Sequence, residues 1–338
     1  MNATTPQVVV VGSYNRDHVW RVDRFPQSGE TRLGRAFSTG PGGKGFNQAV
    51  ACHRQGAGTL FIGAIGNDAL GAGAQQDAKD ESLPCRWQVC DDRPTASTAV
   101  WVDDHGNNCI VVNPGANAAL DAEFVRAQRG SFTGAKLLLT QLETGLDAVA
   151  GAMDLARECG VLRMLNPAPA HPELTWSLLR EADLITPNET EFAQLCGRFL
   201  DVDVDADALV SMGDATLHAL ARRLAPEATV VITLGASGCF VSHEERRRRG
   251  DAASSYRLPA EQADVVDTTG AGDCFNAGLL AGLDLPQAAA LGCAAGALST
   301  RAPGGTASAP DMSAAADLAR HASVTHARPG ETTLRSGK

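Results

Sequence analysis

Residues 265–278 read VVDTTGAGDCFNAG. Gly270, Ala271 and Gly272 let the chain turn tightly into a helix that begins near Asp273. The first amides of a helix have no partner within it, so they can stabilise phosphate charge. Asp273, in the same turn, can accept a proton from an attacking hydroxyl. Phosphoryl transfer needs such positioning and electrostatic stabilisation more than covalent chemistry. Read alone, the segment fits an N-capping Asp after a tight connection equally well. It is not a P-loop, because the GxxxxGK(S/T) spacing is absent.

Outward from this segment the chain alternates. Val8–Val11 is a short apolar run closed by Gly12 and Ser13, read as a buried strand. Residues 45–54 read as a helix after a glycine-rich turn, then Thr59–Ile62 as a strand, with GAIGNDALG a loop into another helix. Strands are expected at Lys136–Thr140, Val161–Leu165, Leu184–Thr186 and Thr229–Thr233, with helices at Asp147–Cys159, Asn188–Cys196 and Asp214–Leu224. Two strands flank a polar turn at Glu244–Arg249, and Asp273–Gly282 and Leu285–Ser299 read as apolar helices. Such alternation predicts an α/β fold: a mostly parallel sheet covered by helices on both faces. Mixed patterns between Asp17 and Ser38, and a hairpin formed by Thr98–Val102 and Cys109–Val112, predict a smaller separate sheet.

The 338 residues, 44% of them hydrophobic, suffice for one large domain with a small accessory element. A net charge of -10 argues against general affinity for nucleic acid or an anionic membrane. No run approaches the roughly 18 apolar residues of a membrane span. The start, MNATTPQVVVVGS, lacks the basic and small-residue signals of a secretory leader. Nine scattered cysteines without a CxxC pair argue against a disulfide framework or a zinc site, and for a cytoplasmic location. The polar stretch of about residues 322–338 is expected to fray.

DTTGAGD, Asp267–Asp273, resembles the C-terminal motif of the ribokinase-like (PfkB) carbohydrate kinases. The resemblance implies that Asp273 is the catalytic base and that Gly270, Ala271 and Gly272 surround the transferring phosphoryl group. PGGKGFNQAVACHRQGA, Pro41–Ala57, resembles the N-terminal motif, placing Gly42, Gly43, Lys44 and Asn47 along the sugar. VVGSYNRDHVWRVDRFPQSGET implies sugar contacts for Asn15 and Asp17, and QLE at Gln141–Glu143 adds Glu143. NPGAN at Asn113–Asn117 and NPAPA at Asn166–Ala170 extend the match, which runs from about Val8 to Pro310. It implies a three-layer α/β/α domain with a β-sheet lid, about 17–40 and 95–113, that also forms a homodimer surface.

TPNETE, Thr186–Glu191, resembles the family's NxxE motif: Asn188 would contact phosphate and Glu191 would organise Mg²⁺ through water. Taken alone it is an ordinary capping pattern. TLGASG, Thr233–Gly238, looks like the family's nucleotide loop, with Thr233, Gly235 and Gly238 near ATP. Adenine would lie against the apolar C-terminal helices. A monovalent-cation loop, expected to take K⁺, corresponds to Asp267 and Thr269, with Ser308 at the end of TRAPGGTASAP.

The acceptor that this resemblance favours is free ribose. Tyr14, Trp20, Thr98 and Trp101 either reach the acceptor pocket, where rings could stack on a nucleobase, or pack the lid and dimer contact. A nucleoside, deoxyribose or fructose acceptor therefore stays open. Arg21, Arg24 and Arg32 leave a sugar phosphate open too, and a non-catalytic sugar-binding regulator is the contrasting class.

Overall fold

Four consecutive valines, Val8–Val11, form strand β1, and all four are buried. Val9 and Val11 enter one hydrophobic core and Val8 and Val10 another, as the two-residue period of a strand requires when both faces are covered. The structure, a computed structural model, describes residues 6–244, 251, 253–279 and 285–319.

After β1 come β2 (Asn15–Arg21), β3 (Ala36–Gly42), helix α1 (Lys44–Arg54), β4 (Thr59–Gly66) and α2 (Ala69–Asp80). The chain continues through β5 (Cys85–Cys90), β6 (Ser97–Val102), β7 (Asn108–Asn113), α3 (Ala122–Ala127), α4 (Arg129–Phe132) and β8 (Leu137–Thr140). Then follow α5 (Leu146–Glu158), β9 (Leu162–Leu165), α6 (Trp176–Leu179), β10 (Leu184–Ile185), α7 (Glu189–Leu200), α8 (Asp214–Leu224) and β11 (Thr229–Thr233). The strands β12 (Cys239–Ser242) and β13 (Ser255–Leu258) precede α9 (Ala271–Gly278), α10 (Leu285–Ser299) and α11 (Met312–Ala319).

The main sheet has nine strands in the order β13-β12-β11-β10-β9-β8-β1-β4-β5. Neighbours run parallel from β5 to β11, while β12 is antiparallel to both β11 and β13. One face packs Ile62, Leu138 and Ile232 against Val149 of α5, Phe192 of α7 and Leu217 of α8. The other packs Phe61, Leu139 and Val231 against Phe46 of α1, Phe275 of α9 and Leu291 of α10. Each such fully buried side chain contributes about 1.5–3 kcal/mol relative to exposure. The result is the three-layer α/β/α fold that the alternation predicts.

The smaller sheet, β3-β2-β6-β7, is separate. β2 pairs antiparallel with β3 from Asn15↔Gly42 to Arg21↔Ala36, so its root joins the end of β1 to the start of α1. The expected hairpin is β6–β7. Three details differ from the sequence reading. GAIG is not a loop but the buried end of β4. CRWQVC forms the edge strand β5, whose half-exposed, charge-bearing pattern hides it, and α11 was not expected. Most of the polar turn at Glu244–Arg249, the end of the helix expected to reach Gly282, and the tail of about 322–338 lie outside the described residues.

All nine cysteines are free. Among the described residues no helix is long and apolar enough to cross a membrane.

Candidate active site

The strand order reverses at β1: the chain moves outward through β4 and β5, then returns to place β8 on the other side of β1. Crevices at the carboxyl ends of strands form at such points. Here the residues just past β1 and β8 meet. Ser13 Oγ donates to Glu143 Oε2 at 2.5 Å, and the Lys44 backbone N–H donates to the same oxygen at 2.9 Å. Glu143 is thus fixed at the mouth of the switch point, beside the start of α1.

The sugar-side residues predicted from sequence converge at the root of the small sheet. Gly43 caps α1 with φ of 88°, and a β-carbon there would collide with the backbone of residues 13–15. Asn15 is buried, and its Oδ1 accepts from Asn117 Nδ2 at 2.9 Å. Asn117 also bonds the backbone N–H and C=O of Tyr14. Asp17 pairs with Gly40 in the β2–β3 register, and its carboxyl lies over the Cα of Gly42. Burial pushes its carboxyl up to about 6, Glu143 adds to the rise, and Thr98 and Arg16 oppose it.

Asp273 lies in the first turn of α9 and is buried. Gly270 caps that helix in the left-handed region, φ 80°, packed on Gly305, whereas Gly272 faces open space where a ligand can approach the backbone. Asn47 Nδ2 donates to Asp273 Oδ2 at 3.0 Å and Gln48 Nε2 to Oδ1 at 2.9 Å. Burial raises the pKa of Asp273, and Lys44, Asn47 and Gln48 pull against that rise. Burial likewise pulls the Lys44 ammonium down, but Asp273, Glu143 and Glu191 together hold it above its ordinary value. One ammonium among three carboxylates, beneath a helix N-terminus, suits a transferring phosphoryl group.

A polar cavity opens from Lys44 and Asp273 towards Asn188, Glu191 and Thr233, with Gly270 and Gly272 on its wall. Asn188 and Glu191 form a reciprocal capping box at the start of α7: Asn188 Oδ1 accepts from the Glu191 amide and Glu191 Oε2 from the Asn188 amide. The capping pattern and the cavity-facing position therefore coexist. Gly235 and Gly238 shape the turn after β11 and do not line this cavity. Gly238 has φ 90°, and a β-carbon there would stand 1.9 Å from the Leu258 carbonyl oxygen.

The two halves expected for a cation loop do meet. Asp267 accepts the Thr269 and Gly304 backbone amides, each at 2.9 Å, and these bonds lower its pKa against the effect of burial. Ser308 sits in the same turn as Gly304 and Gly305. Arg54 of α1 donates to the carbonyls of Thr306, Ala307 and Ala309.

With this geometry in view, the chain matches the family model of pfkB family carbohydrate kinases over residues 5–312. The chain belongs to that family. It is 34% identical over 320 residues to a ribokinase of Haemophilus influenzae, covering 93% of this chain and 99% of that one. It is also 34% identical over 269 residues to a ribokinase of Mus musculus, 79% of each chain. A ribokinase structure from Giardia lamblia superposes with a TM-score of 0.82 at 26% identity, covering 93% of this chain and 98% of its own. That of Arabidopsis thaliana ribokinase complexed with ribose and ATP gives 0.78 at 25% identity, covering 94% and 99%.

Several residues of this carbohydrate kinase that touch the site were not singled out from sequence. Ser13 and Gln48 lie inside the two quoted N-terminal motifs, and Asn117 and Asn166 inside NPGAN and NPAPA, all without roles assigned from sequence. Thr306, whose hydroxyl donates to Asn47 Oδ1 at 2.5 Å, sits inside TRAPGGTASAP, where only Ser308 had a role assigned. Of the aromatics considered for the acceptor pocket, Tyr14 is excluded. Its ring is fully buried against Phe46 and Trp87, and its hydroxyl donates to Asp77. Trp20 stacks with His18 and meets Phe37 at a tilt on the small sheet. Arg24 and Arg32 are paired with Glu30, and Arg32 also with Asp23.

Proposed function

We propose that this kinase transfers the γ-phosphoryl group of ATP to the 5-hydroxyl of D-ribose, giving D-ribose 5-phosphate and ADP. The observation that carries the reading is Asp273. It is a buried carboxylate held by two amide donors at the start of α9, within the field of Lys44 and beside the sugar-side cluster. Asp273 takes the proton of the 5-hydroxyl as the oxygen attacks, and the amides of Gly270, Ala271 and Gly272 stabilise the phosphoryl charge. Asn15, Asp17, Gly42, Gly43, Lys44 and Glu143 hold the sugar. Asn47 acts at the junction, since its side chain is committed to Asp273 and Thr306. The ribokinase relatives and their ribose and ATP complex support this choice of acceptor and donor.

Mg²⁺ arriving with ATP neutralises charge on the terminal phosphates. Glu191 fits as its water-mediated holder, because it lines the cavity and the capping box uses one of its carboxyl oxygens, Oε2. Asn188 and Thr233 line the nucleotide path, with Gly235 and Gly238 shaping its loop. A monovalent cation, K⁺, would sit between the 267–269 segment and the 304–308 turn, drawing on Asp267, Thr269 and Ser308. The Thr306, Ala307 and Ala309 carbonyls already face the Arg54 guanidinium.

The small sheet acts as a lid over the sugar and as the contact of a cytoplasmic homodimer. The exposed Phe37 and the exposed run Ile110–Val112 support that contact. Deoxyribose is the second acceptor, favoured by 28% identity over 277 residues to a Salmonella typhi deoxyribokinase.

The test is product identification by mass spectrometry after reaction with Mg-ATP, K⁺ and a panel of ribose, deoxyribose, fructose and nucleosides. Selective ribose 5-phosphate supports the reading, and preference for another acceptor overturns the substrate. Asp273→Ala should lower turnover on the order of 10²–10⁴-fold, and near-normal turnover would remove Asp273 from its role.

A further inference from the structure

Gln48 follows Asn47 in α1 and is fully buried, as is most of that helix. A buried amide must find partners for both ends, and here the partners define a direction. The chain of bonds starts at the Thr186 backbone carbonyl, which can only accept. Asn166 Nδ2 donates to it at 2.8 Å, which turns Asn166 Oδ1 towards Gln48. Gln48 Nε2 donates to that oxygen at 3.1 Å and to Asp273 Oδ1 at 2.9 Å. Gln48 Oε1 then accepts from Gln141 Nε2 at 2.5 Å. Gln141 Oε1, at the end of the chain, is buried against Gly12 without a hydrogen-bond partner, and a β-carbon on Gly12 would stand 2.1 Å from it, so the direction of the chain is set from the Thr186 end.

We infer that Gln48 is a positioning residue for phosphoryl transfer, locked by the Thr186–Asn166 and Gln141 contacts so that it presents only N–H to Asp273. The inference rests on Asp273 being the base and extends that reading to a residue that need not touch the sugar. A carboxylate met by donors at both oxygens is held in one rotamer and in its ionised form, the state that accepts a proton. A flipped Gln48 would aim Oε1 at Asp273, but it would also lose the Asn166 acceptor and oppose two donors at Gln141. Three strand ends, those of β8, β9 and β10, thus fix the orientation of one carboxylate on α9.

The test compares Gln48→Met, Gln48→Glu, Gln141→Leu and Asp273→Ala with the unaltered enzyme. It reads kcat, the KM of ribose and of ATP, the pH profile of kcat/KM and the thermal midpoint. Gln48→Met keeps the length and removes the donor. It should lower kcat on the order of 10-fold or more, leave the KM of ATP unchanged, and move the acid limb to higher pH. Lys44, Glu143 and Glu191, the charged groups facing Asp273, remain in place in that variant. Gln48→Glu should shift the limb further, and Gln141→Leu, which frees Gln48 to turn, should shift it less. A Gln48→Met enzyme with unaltered kcat and acid limb overturns the inference. So does a loss of kcat that only follows a lower thermal midpoint, with the limb unmoved. An active Asp273→Ala enzyme would overturn the base itself, whereas an inactive one beside an unaltered Gln48→Met enzyme would overturn Gln48 alone.

Discussion

A β-carbon placed on Gly42 would stand 2.1 Å from Oδ2 of Asp17. The glycine is therefore required by a side chain rather than by its own backbone. In Gly42→Ala, Asp17 must swing away, and the charge-assisted bonds proposed for it to the sugar would be lost at about 1.5–3 kcal/mol. The KM of ribose should rise on the order of 10- to 100-fold while the KM of ATP holds, as steady-state kinetics will show. An unchanged KM of ribose would remove Asp17 from the sugar.

Asp17 also sets a pH dependence. Its carboxyl is raised from 3.8 to about 6, chiefly by burial. Below that pH it is neutral and a poor acceptor for sugar hydroxyls, so ribose affinity measured calorimetrically without ATP should fall as pH drops through about 6. The linkage to stability has the opposite sense. Between the two values the folded chain holds a proton that the unfolded chain has released, so this group costs stability as pH rises through the window from 3.8 to about 6. Flat ribose affinity across that range would contradict the assignment.

Arg54 links α1 to the 304–309 turn through three carbonyls, and to Glu81 through an ion pair of 2.6 Å. Arg54→Met keeps the aliphatic stem and removes these bonds. It should cost about 1.5–3 kcal/mol, read as a lower denaturation midpoint, and weaken any activation by K⁺. Unchanged stability would show that the turn holds itself.

Tyr14→Phe tests whether this ring belongs to the core. The lost hydroxyl bond to Asp77 should cost about 0.5–1.5 kcal/mol with ribose kinetics unchanged. A large change in acceptor preference would return Tyr14 to the pocket.

The main sheet was legible because its strands are covered on both faces and read as continuous apolar runs, as in Val8–Val11. β5 escaped because an edge strand with Arg86 and Gln88 lacks that pattern. In the site, glycines and charges in long motifs marked Asp273, Lys44 and Asp17. Gln48 and Thr306 were not legible, because their roles are contacts made across 225 and 259 residues of sequence. Local spacing records no such partner. Tyr14 was ambiguous for the same reason, since only the positions of Phe46, Trp87 and Asp77 decide where its ring lies.

The bond between Thr306 and Asn47 also has a consequence during synthesis. The two residues are separated by 259 positions. At translation speeds of about 5–20 residues per second, Asn47 waits on the order of 10–50 s for its partner. A ribosome-bound chain that already displays Asn47 thus cannot yet possess Asp273, the proposed base, or Thr306 beside it. The contact forms only once the segment around Thr306 has been made.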